Sequence, residues 1–188
     1  MVFNAERREP PRWEFIALVA AMMALNSLAI DVMLPALPNI GDSLGVTSDN
    51  ERQLVIAAYM IGFGGAQLVF GPISDRFGRR PPLLVGVGIY VVAAFLGMLA
   101  PSLGALLALR FVQGIGAAAT GVVAISAVRD RFAGRDMAQV MSLAFMVFMA
   151  LPVVAPGIGQ LLLLAGSWHY IFPFMSGLAI VICLWAFL

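Results

Sequence analysis

Residues 71–80 read Gly-Pro-Ile-Ser-Asp-Arg-Phe-Gly-Arg-Arg and separate two long apolar stretches of the chain. The segment contains three arginines and one aspartate, whereas residues 54–70 before it and residues 82–99 after it contain no charged side chain. A helix needs roughly 20 apolar residues to cross the hydrocarbon core of a bilayer, and both stretches approach that length. The charged segment is therefore predicted to be a short connector between two membrane-spanning helices.

The same alternation of apolar stretches and short polar connectors runs through the whole chain. Of the 188 residues, 62% are hydrophobic and 11% are charged, which is too apolar for a soluble domain or a disordered chain. The predicted fold is an all-α membrane protein, with a cytoplasmic N-terminal segment at residues 1–14 and a six-helix transmembrane bundle at residues 15–188. The six predicted spans are residues 15–34, 54–70, 82–99, 103–128, 140–164 and 170–188.

Several classes of function are excluded by the charged and sulfur-containing residues. The formal net charge is +1 and all 11 basic residues are Arg, so nothing indicates a nucleic-acid partner. The single cysteine, Cys183, excludes an internal disulfide and a cysteine-based metal site. The sequence has no nucleotide-binding loop, and its single histidine, His169, lies in a connector at the opposite end of the predicted spans from Ser126. We therefore expect a protein that is not an enzyme and has no cofactor or metal ion.

The positions of the arginines predict how the spans are oriented. Arg7, Arg8 and Arg12 precede the first span, and three arginines lie in each of the connectors that follow the second and fourth spans. The opposite side of the membrane has only Arg52. Because cytoplasmic loops carry the excess of basic residues, the arginine-rich side is predicted to be cytoplasmic, and both termini lie there.

Two ionisable residues, Asp31 and Arg110, fall inside predicted spans. Such a side chain costs several kcal/mol at membrane depth unless it faces the bundle interior or water, so both are candidate functional residues. One interpretation makes Asp31 a proton- or cation-binding carboxylate and Arg110 a fixed charge that tunes its pKa. The alternatives are a structural ion pair between them, or an Asp31 that lies in the headgroup region close to Pro35.

The second span has a polar and aromatic face formed by Tyr59, Phe63 and Gln67, which follow one another at steps of four residues. Together with Asn26 and Gln113, this face could line a path for a substrate. Hydrogen bonding between neighbouring helices explains the same residues equally well.

Residues 71–80, at their position between the second and third spans, resemble the signature loop of the major facilitator superfamily. Residues 106–118 resemble the fourth-helix motif of that family, which is linked to proton coupling. Residues 31–38 are similar to the end of the first helix in the Bcr/CflA-type drug:proton antiporters, and residues 152–159 resemble the fifth-helix antiporter motif of that branch. In this last motif, Leu151, Ala155 and Gln160 stand where the family usually has glycine.

The resemblance implies one half of a twelve-helix fold, built from two inverted three-helix repeats. It also implies roles for particular residues. Asp31 and Arg110 would take part in proton coupling, and the kinked fifth helix would pack against the other half through Pro152, Pro156 and Gly159. The conformational switch loop would comprise Gly71, Asp75, Arg76, Gly78, Arg79 and Arg80, with Asp130 as a partner.

The function implied by the resemblance is secondary active transport: proton-coupled export of small hydrophobic or drug-like compounds across the bacterial cytoplasmic (inner) membrane. The expected partners are membrane lipid, a small-molecule substrate, protons, and either a missing C-terminal half or a second copy of the chain. The sequence stops at Leu188 inside the sixth span, which favours a truncated chain. The alternative is a six-helix membrane module that needs a partner half and does not transport by itself.

Overall fold

The computed structural model describes residues 10–188, which fold into seven α-helices and two short 3-10 helices. Residues 1–9, which contain Arg7, Arg8 and most of the predicted N-terminal segment, lie outside the described residues. The 3-10 helices, Leu34–Ala36 and Trp168–Tyr170, precede α2 and α7. The α-helices are α1 (Arg12–Asp31), α2 (Leu37–Ser43), α3 (Asp49–Phe77), α4 (Arg80–Met98), α5 (Leu103–Arg131), α6 (Gly134–Leu164) and α7 (Ile171–Phe187).

Six helical segments in residues 10–188 are long and apolar enough to cross a membrane, which confirms the predicted all-α, six-span architecture. The second span, predicted at residues 54–70, is the longer helix Asp49–Phe77, and the fifth, predicted at 140–164, begins at Gly134. Both helices extend past their apolar stretches because polar residues at the ends of a span can lie in the headgroup region. The inverted relation between the two three-helix repeats stays a prediction.

The connector predicted at residues 71–80 is much shorter in the structure. Helix α3 continues through Pro72 to Phe77, so only Gly78 and Arg79 join it to α4. A proline inside a helix removes one backbone hydrogen bond without ending the helix when neighbouring helices support it. Gly78 turns the chain with φ 83°, a left-handed conformation that glycine adopts without steric penalty. Gly71 and Asp75 are therefore helical residues.

Helix α5 lies between α3 and α4 and packs closely against both. Its small residues make this possible, because a Cβ on Gly114 would collide with the Tyr59 carbonyl of α3. On the opposite side, a Cβ on Gly116 would lie 2.5 Å from the Tyr90 nitrogen of α4. Small residues at helix crossings let backbones approach closely in membranes. The contact fixes which residues of the three helices lie at the same depth.

Helix α6 is the most exposed of the long helices and is attached mainly to α1. A Cβ on Gly159 would collide with the Val32 carbonyl and approach Pro35. Gly159 thus allows α6 to approach α1 within the chain, and a contact of this helix with a second half stays a prediction. Pro152 is exposed and Pro156 is half-buried, so their role stays a prediction.

We predict that Gly86→Ala destabilises the bundle while Gly88→Ala, two residues further along α4, does not. A Cβ on Gly86 would lie 2.8 Å from the Gly116 carbonyl oxygen, whereas a Cβ on Gly88 would meet nothing within 4 Å. Forcing two close helices apart costs about 1–3 kcal/mol. Unfolding of the purified protein in detergent measures the difference, and equal stability of the two variants would contradict the close crossing of α4 and α5.

Candidate functional site

The guanidinium of Arg110 is the centre of a polar site inside the bundle, and its side chain is 0% exposed. Arg110 Nη1 donates to Gln113 Oε1 at 2.8 Å, and Nη2 donates to the Ala29 carbonyl oxygen of α1 at 2.7 Å. The Tyr59 ring of α3 covers the guanidinium, with its centroid 4.7 Å from Cζ. The charge is therefore held by oxygens of α1 and α5 and by a cation–π contact from α3.

Four of the five residues predicted to line a substrate path meet at this site. The Tyr59 hydroxyl donates to Asn26 Oδ1 at 3.1 Å, and the Phe63 ring stacks on the Tyr59 ring with centroids 6.4 Å apart. Gln113 joins them through Arg110. Gln67 is exposed, about two helical turns from Tyr59. The hydrogen bonds between helices that the alternative interpretation required are present, and whether a substrate passes here stays a prediction.

Asp31 is the last residue of α1 and is half-buried. Its Oδ2 accepts a hydrogen bond from Ser27 Oγ, one turn earlier in the helix, at 2.6 Å. Within residues 10–188, no ion pair joins Asp31 to Arg110. The alternative of a structural ion pair between them is therefore wrong. Arg110 instead binds the carbonyl of Ala29, two residues before Asp31 in α1.

A second charged cluster lies at the end of the bundle where α3, α4 and α5 meet. Arg79 donates to both carboxylate oxygens of Asp130, through Nε at 2.8 Å and Nη2 at 3.0 Å. Its Nη1 donates to Asp75 Oδ1 at 2.7 Å and to Ser74 Oγ at 2.8 Å. The hydrogen bond to Asp130 raises the pKa of Arg79 above its ordinary value, so the guanidinium stays charged. Arg79, Asp75 and Asp130 are brought together as the sequence predicted.

The other arginines near this turn, Arg76 and Arg80, lie over aromatic rings. Arg76 Cζ lies 5.4 Å from the centroid of the Phe77 ring, and Arg80 Cζ lies 5.5 Å from the centroid of the Phe187 ring of α7. Arg79 is thus the residue whose hydrogen bonds to Asp75 and Asp130 connect α3 to α5.

Ser27, Ser74 and Tyr90 belong to these two sites but were missed in the sequence. Ser27 precedes Asp31 by four residues, a spacing that places both on one face of a helix and could have identified it. Ser74 lies inside residues 71–80 and contacts Arg79 only because the chain turns at Gly78. Tyr90 stands alone in an apolar stretch, and no sequence pattern indicates that it reaches α5 at the level of Gly116.

A family model described as Major Facilitator Superfamily matches residues 19–188 of the chain. Among solved structures, the human organic anion transporter MFSD10 (TETRAN) is similar, with a TM-score of 0.68 and 20% identity. The similarity covers 95% of this chain and 47% of that one. The chain thus has the fold of one half of such a transporter structure.

Curated bacterial relatives are more similar in sequence. Multidrug resistance protein MdtL of Vibrio parahaemolyticus is 35% identical over 168 residues, which are 89% of this chain and 42% of that protein. A chloramphenicol resistance protein of Pseudomonas aeruginosa is 39% identical over 163 residues, which are 86% of this chain and 38% of that protein. Multidrug resistance protein D of Escherichia coli is 32% identical over 160 residues, 85% of this chain and 40% of that protein. The chain spans less than half of the length of these relatives and corresponds to their amino-terminal half.

We predict that Arg79→Lys loosens the end of α3, because an ammonium group cannot hold both oxygens of Asp130 and also bind Asp75. The loss should be about 1 kcal/mol, since Asp130 and Asp75 are partly exposed to solvent. Hydrogen exchange of residues 71–80 should become several-fold faster. Arg76→Lys is the matched control and should leave exchange unchanged; equal effects of the two variants would show that Arg79 is not the connecting residue.

Proposed function

Because the chain belongs to the major facilitator superfamily, we propose that it forms the amino-terminal half of a secondary active transporter that exports small hydrophobic or drug-like compounds in exchange for protons. The family is one of transporters and not of enzymes. The names of the curated relatives, which refer to multidrug and chloramphenicol resistance, support drug-like compounds as the substrate class.

The buried charge of Arg110 is the observation that carries the proposal. A guanidinium in the core of a membrane protein is costly, and a purely structural bundle could fill the same space with apolar side chains. Arg110 is bonded to the Ala29 carbonyl of α1, two residues before Asp31, and no ion pair joins the two charged groups among residues 10–188. We propose that Asp31, which is not paired with Arg110, is the carboxylate that is protonated during a transport cycle.

We infer that protonation of Asp31 shifts the balance between two positions of α1 relative to α5. A protonated Asp31 loses its negative charge and changes its hydrogen bond with Ser27. Because the Ala29 carbonyl binds Arg110, any displacement of this end of α1 changes the surroundings of the guanidinium. A ligand or proton that binds one position better than the other shifts the population toward it.

The proposed location is the bacterial cytoplasmic membrane, with the arginine-rich ends of the helices in the cytoplasm. Six arginines lie around the α3–α4 and α5–α6 connectors, at the same end of the bundle as Arg12, which donates to Gln139 of α6 at 2.9 Å. Such a concentration of basic residues favours the cytoplasmic side. The six are Arg76, Arg79, Arg80, Arg129, Arg131 and Arg135.

A second half is proposed to cover the exposed polar face of α3. Gln67 is exposed in the middle of this span, and Gly64, Gly65 and Gly71 have nothing within 4 Å of their Cβ positions. Glycine and glutamine favour helix–helix contacts over lipid, because they allow close packing and hydrogen bonding. A partner half packed on this face would supply the second wall of a substrate cavity.

We predict that Asp31→Asn abolishes proton coupling, because asparagine cannot bind and release a proton. The 188-residue chain is reconstituted into proteoliposomes, and a pH gradient drives transport of chloramphenicol or a lipophilic cationic dye. We expect gradient-driven transport to fall at least about tenfold. Glu51→Gln, which removes an exposed carboxylate at the start of α3, is the control and should retain transport.

Retained proton-driven transport in Asp31→Asn would remove Asp31 from the mechanism. Folded wild-type protein that transports neither compound would favour the alternative of a module that transports only with a partner half. That alternative is supported by the chain's covering only 42% of the MdtL relative.

We predict that Gln67→Cys, in a Cys183→Ser background, forms a disulfide-linked dimer on oxidation. In the isolated chain only a second copy is available to cover the polar face of α3, so two copies of residue 67 should approach each other. Val181→Cys on α7, where Val181 is 61% exposed, is the control and should stay monomeric. Gel electrophoresis without reductant measures the dimer, and equal cross-linking at both positions would mean that the α3 face is not a specific contact.

A further inference from the structure

Tyr90 belongs to none of the sites predicted from the sequence, yet it is wholly buried on α4 next to the Arg110 site. We propose that Tyr90 is a positioning residue whose hydroxyl fixes the orientation of the Gln113 carboxamide, so that Gln113 presents its oxygen to Arg110. The consequence for transport rests on the proposed function of Arg110, whereas the positioning itself can be tested without transport.

The Gln113 carboxamide can be placed in two ways, and only one of them suits Arg110. In the structure Oε1 accepts the hydrogen bond from Arg110 Nη1 at 2.8 Å. A half-turn of the amide would direct its NH2 group at the guanidinium, so that donors face donors and the hydrogen bond is lost. The bond from Arg110 favours the first orientation, but Gln113 Nε2, on the other side of the carboxamide, is buried without a hydrogen-bond partner among residues 10–188.

The Tyr90 hydroxyl is the complementary group on the neighbouring helix. It is also buried without a hydrogen-bond partner in the described part of the chain, and it lies beside Gln113 and Arg110. A hydroxyl oxygen has two lone pairs and can accept from Gln113 Nε2. The terminal torsion of glutamine is soft, so a small rotation of the carboxamide brings the two groups together.

The position of Tyr90 relative to α5 is fixed by the close crossing of the two helices. A Cβ on Gly116 would lie 2.5 Å from the Tyr90 nitrogen and 2.5 Å from the Gly86 carbonyl oxygen, so the backbones touch one turn from Gln113. Phenylalanine would fill the apolar space around the ring without the cost of burying a hydroxyl. A tyrosine at this point therefore indicates that the hydroxyl is used.

Through Gln113, Tyr90 determines where the charge of Arg110 is held. Gln113 Oε1 and the Ala29 carbonyl each accept a hydrogen bond from one terminal nitrogen of the guanidinium. The two hydrogen bonds together orient the guanidinium plane beneath the Tyr59 ring. When the carboxamide turns, Nη1 loses its acceptor while Nη2 keeps its bond to α1. The charge can then move relative to α5.

The test is Tyr90→Phe in the 188-residue chain in detergent or nanodiscs, with glutamine labelled with nitrogen-15. In the wild-type protein we expect one pair of slowly exchanging side-chain amide signals for Gln113, assigned by their disappearance in Gln113→Glu. In Tyr90→Phe we expect these signals to double or shift and to exchange about tenfold faster. Tyr170→Phe, at a position 53% exposed, is the matched control and should leave them unchanged.

A second variant separates positioning from a general loss of packing. A glutamate carboxylate has two acceptor oxygens, so it can accept from Arg110 in either orientation. In Gln113→Glu the hydrogen bond to Arg110 should therefore no longer depend on Tyr90. We expect Tyr90→Phe to broaden the Arg110 Nε–H signal, and Tyr90→Phe combined with Gln113→Glu to restore it. Unchanged Gln113 signals in Tyr90→Phe, or no restoration in the double variant, would overturn the proposal.

Transport is measured separately in the same variants. If the wild-type chain transports, Tyr90→Phe should reduce proton-driven transport about fivefold and change its pH profile, whereas Tyr170→Phe should not. An unchanged pH profile beside altered Gln113 and Arg110 signals would contradict the proton-coupling role of Arg110. If the wild-type chain does not transport, the proposal that this chain transports by itself is contradicted. The spectra then test separately whether Tyr90 positions Gln113.

Discussion

The close contact of α5 with α3 on one side and α4 on the other is the constraint on which the rest of the structure depends. The helices approach until backbone atoms touch, at Gly114 against the Tyr59 carbonyl and at Gly116 against Gly86. The side chains near these crossings are therefore confined to the neighbours that the crossings bring into contact. Arg110 consequently lies under the Tyr59 ring, where its charge is satisfied by the few oxygens that the crossing brings within reach.

Helix α5 also connects the Arg110 site with the cluster around Arg79. Arg110 lies near one end of the helix and Asp130 near the other, about 30 Å away for 20 helical residues. Each forms hydrogen bonds with another segment: Arg110 donates to the Ala29 carbonyl of α1, and Asp130 accepts from Arg79 in the turn after α3. A rigid displacement of α5 relative to α1 or α3 would therefore disturb either charged site. This geometry fits the proposed mechanism, in which protonation of Asp31 shifts the balance between two positions of α1 relative to α5.

The sequence predicted the residues of the sites better than it predicted their contacts. Asp75, Arg79 and Asp130 form one cluster as expected, because the short connector holds Arg79 beside Asp75 and the packing of α5 against α3 and α4 brings Asp130 to it. Asp31 and Arg110 were correctly placed in spans, but they do not form an ion pair, since Asp31 is satisfied by Ser27 of its own helix. Gly159 packs against α1, a contact within the chain that the sequence did not indicate. Apolar helices carry little information about which face meets which neighbour, because lipid and helix interiors are equally apolar.

The sequence by itself determined the class of the protein, the number of spans and the concentration of arginines in the connectors that follow the second and fourth spans. Hydrocarbon thickness and the cost of burying charge act on short stretches of chain, so local composition is sufficient to predict them. Only the tertiary structure decided that Arg110 is held by Gln113 and Ala29, that Tyr59 covers it, and that Tyr90 lies next to it. These contacts join residues far apart in the chain, and they depend on the depth and rotation of each helix, which are set where glycines allow two backbones to meet.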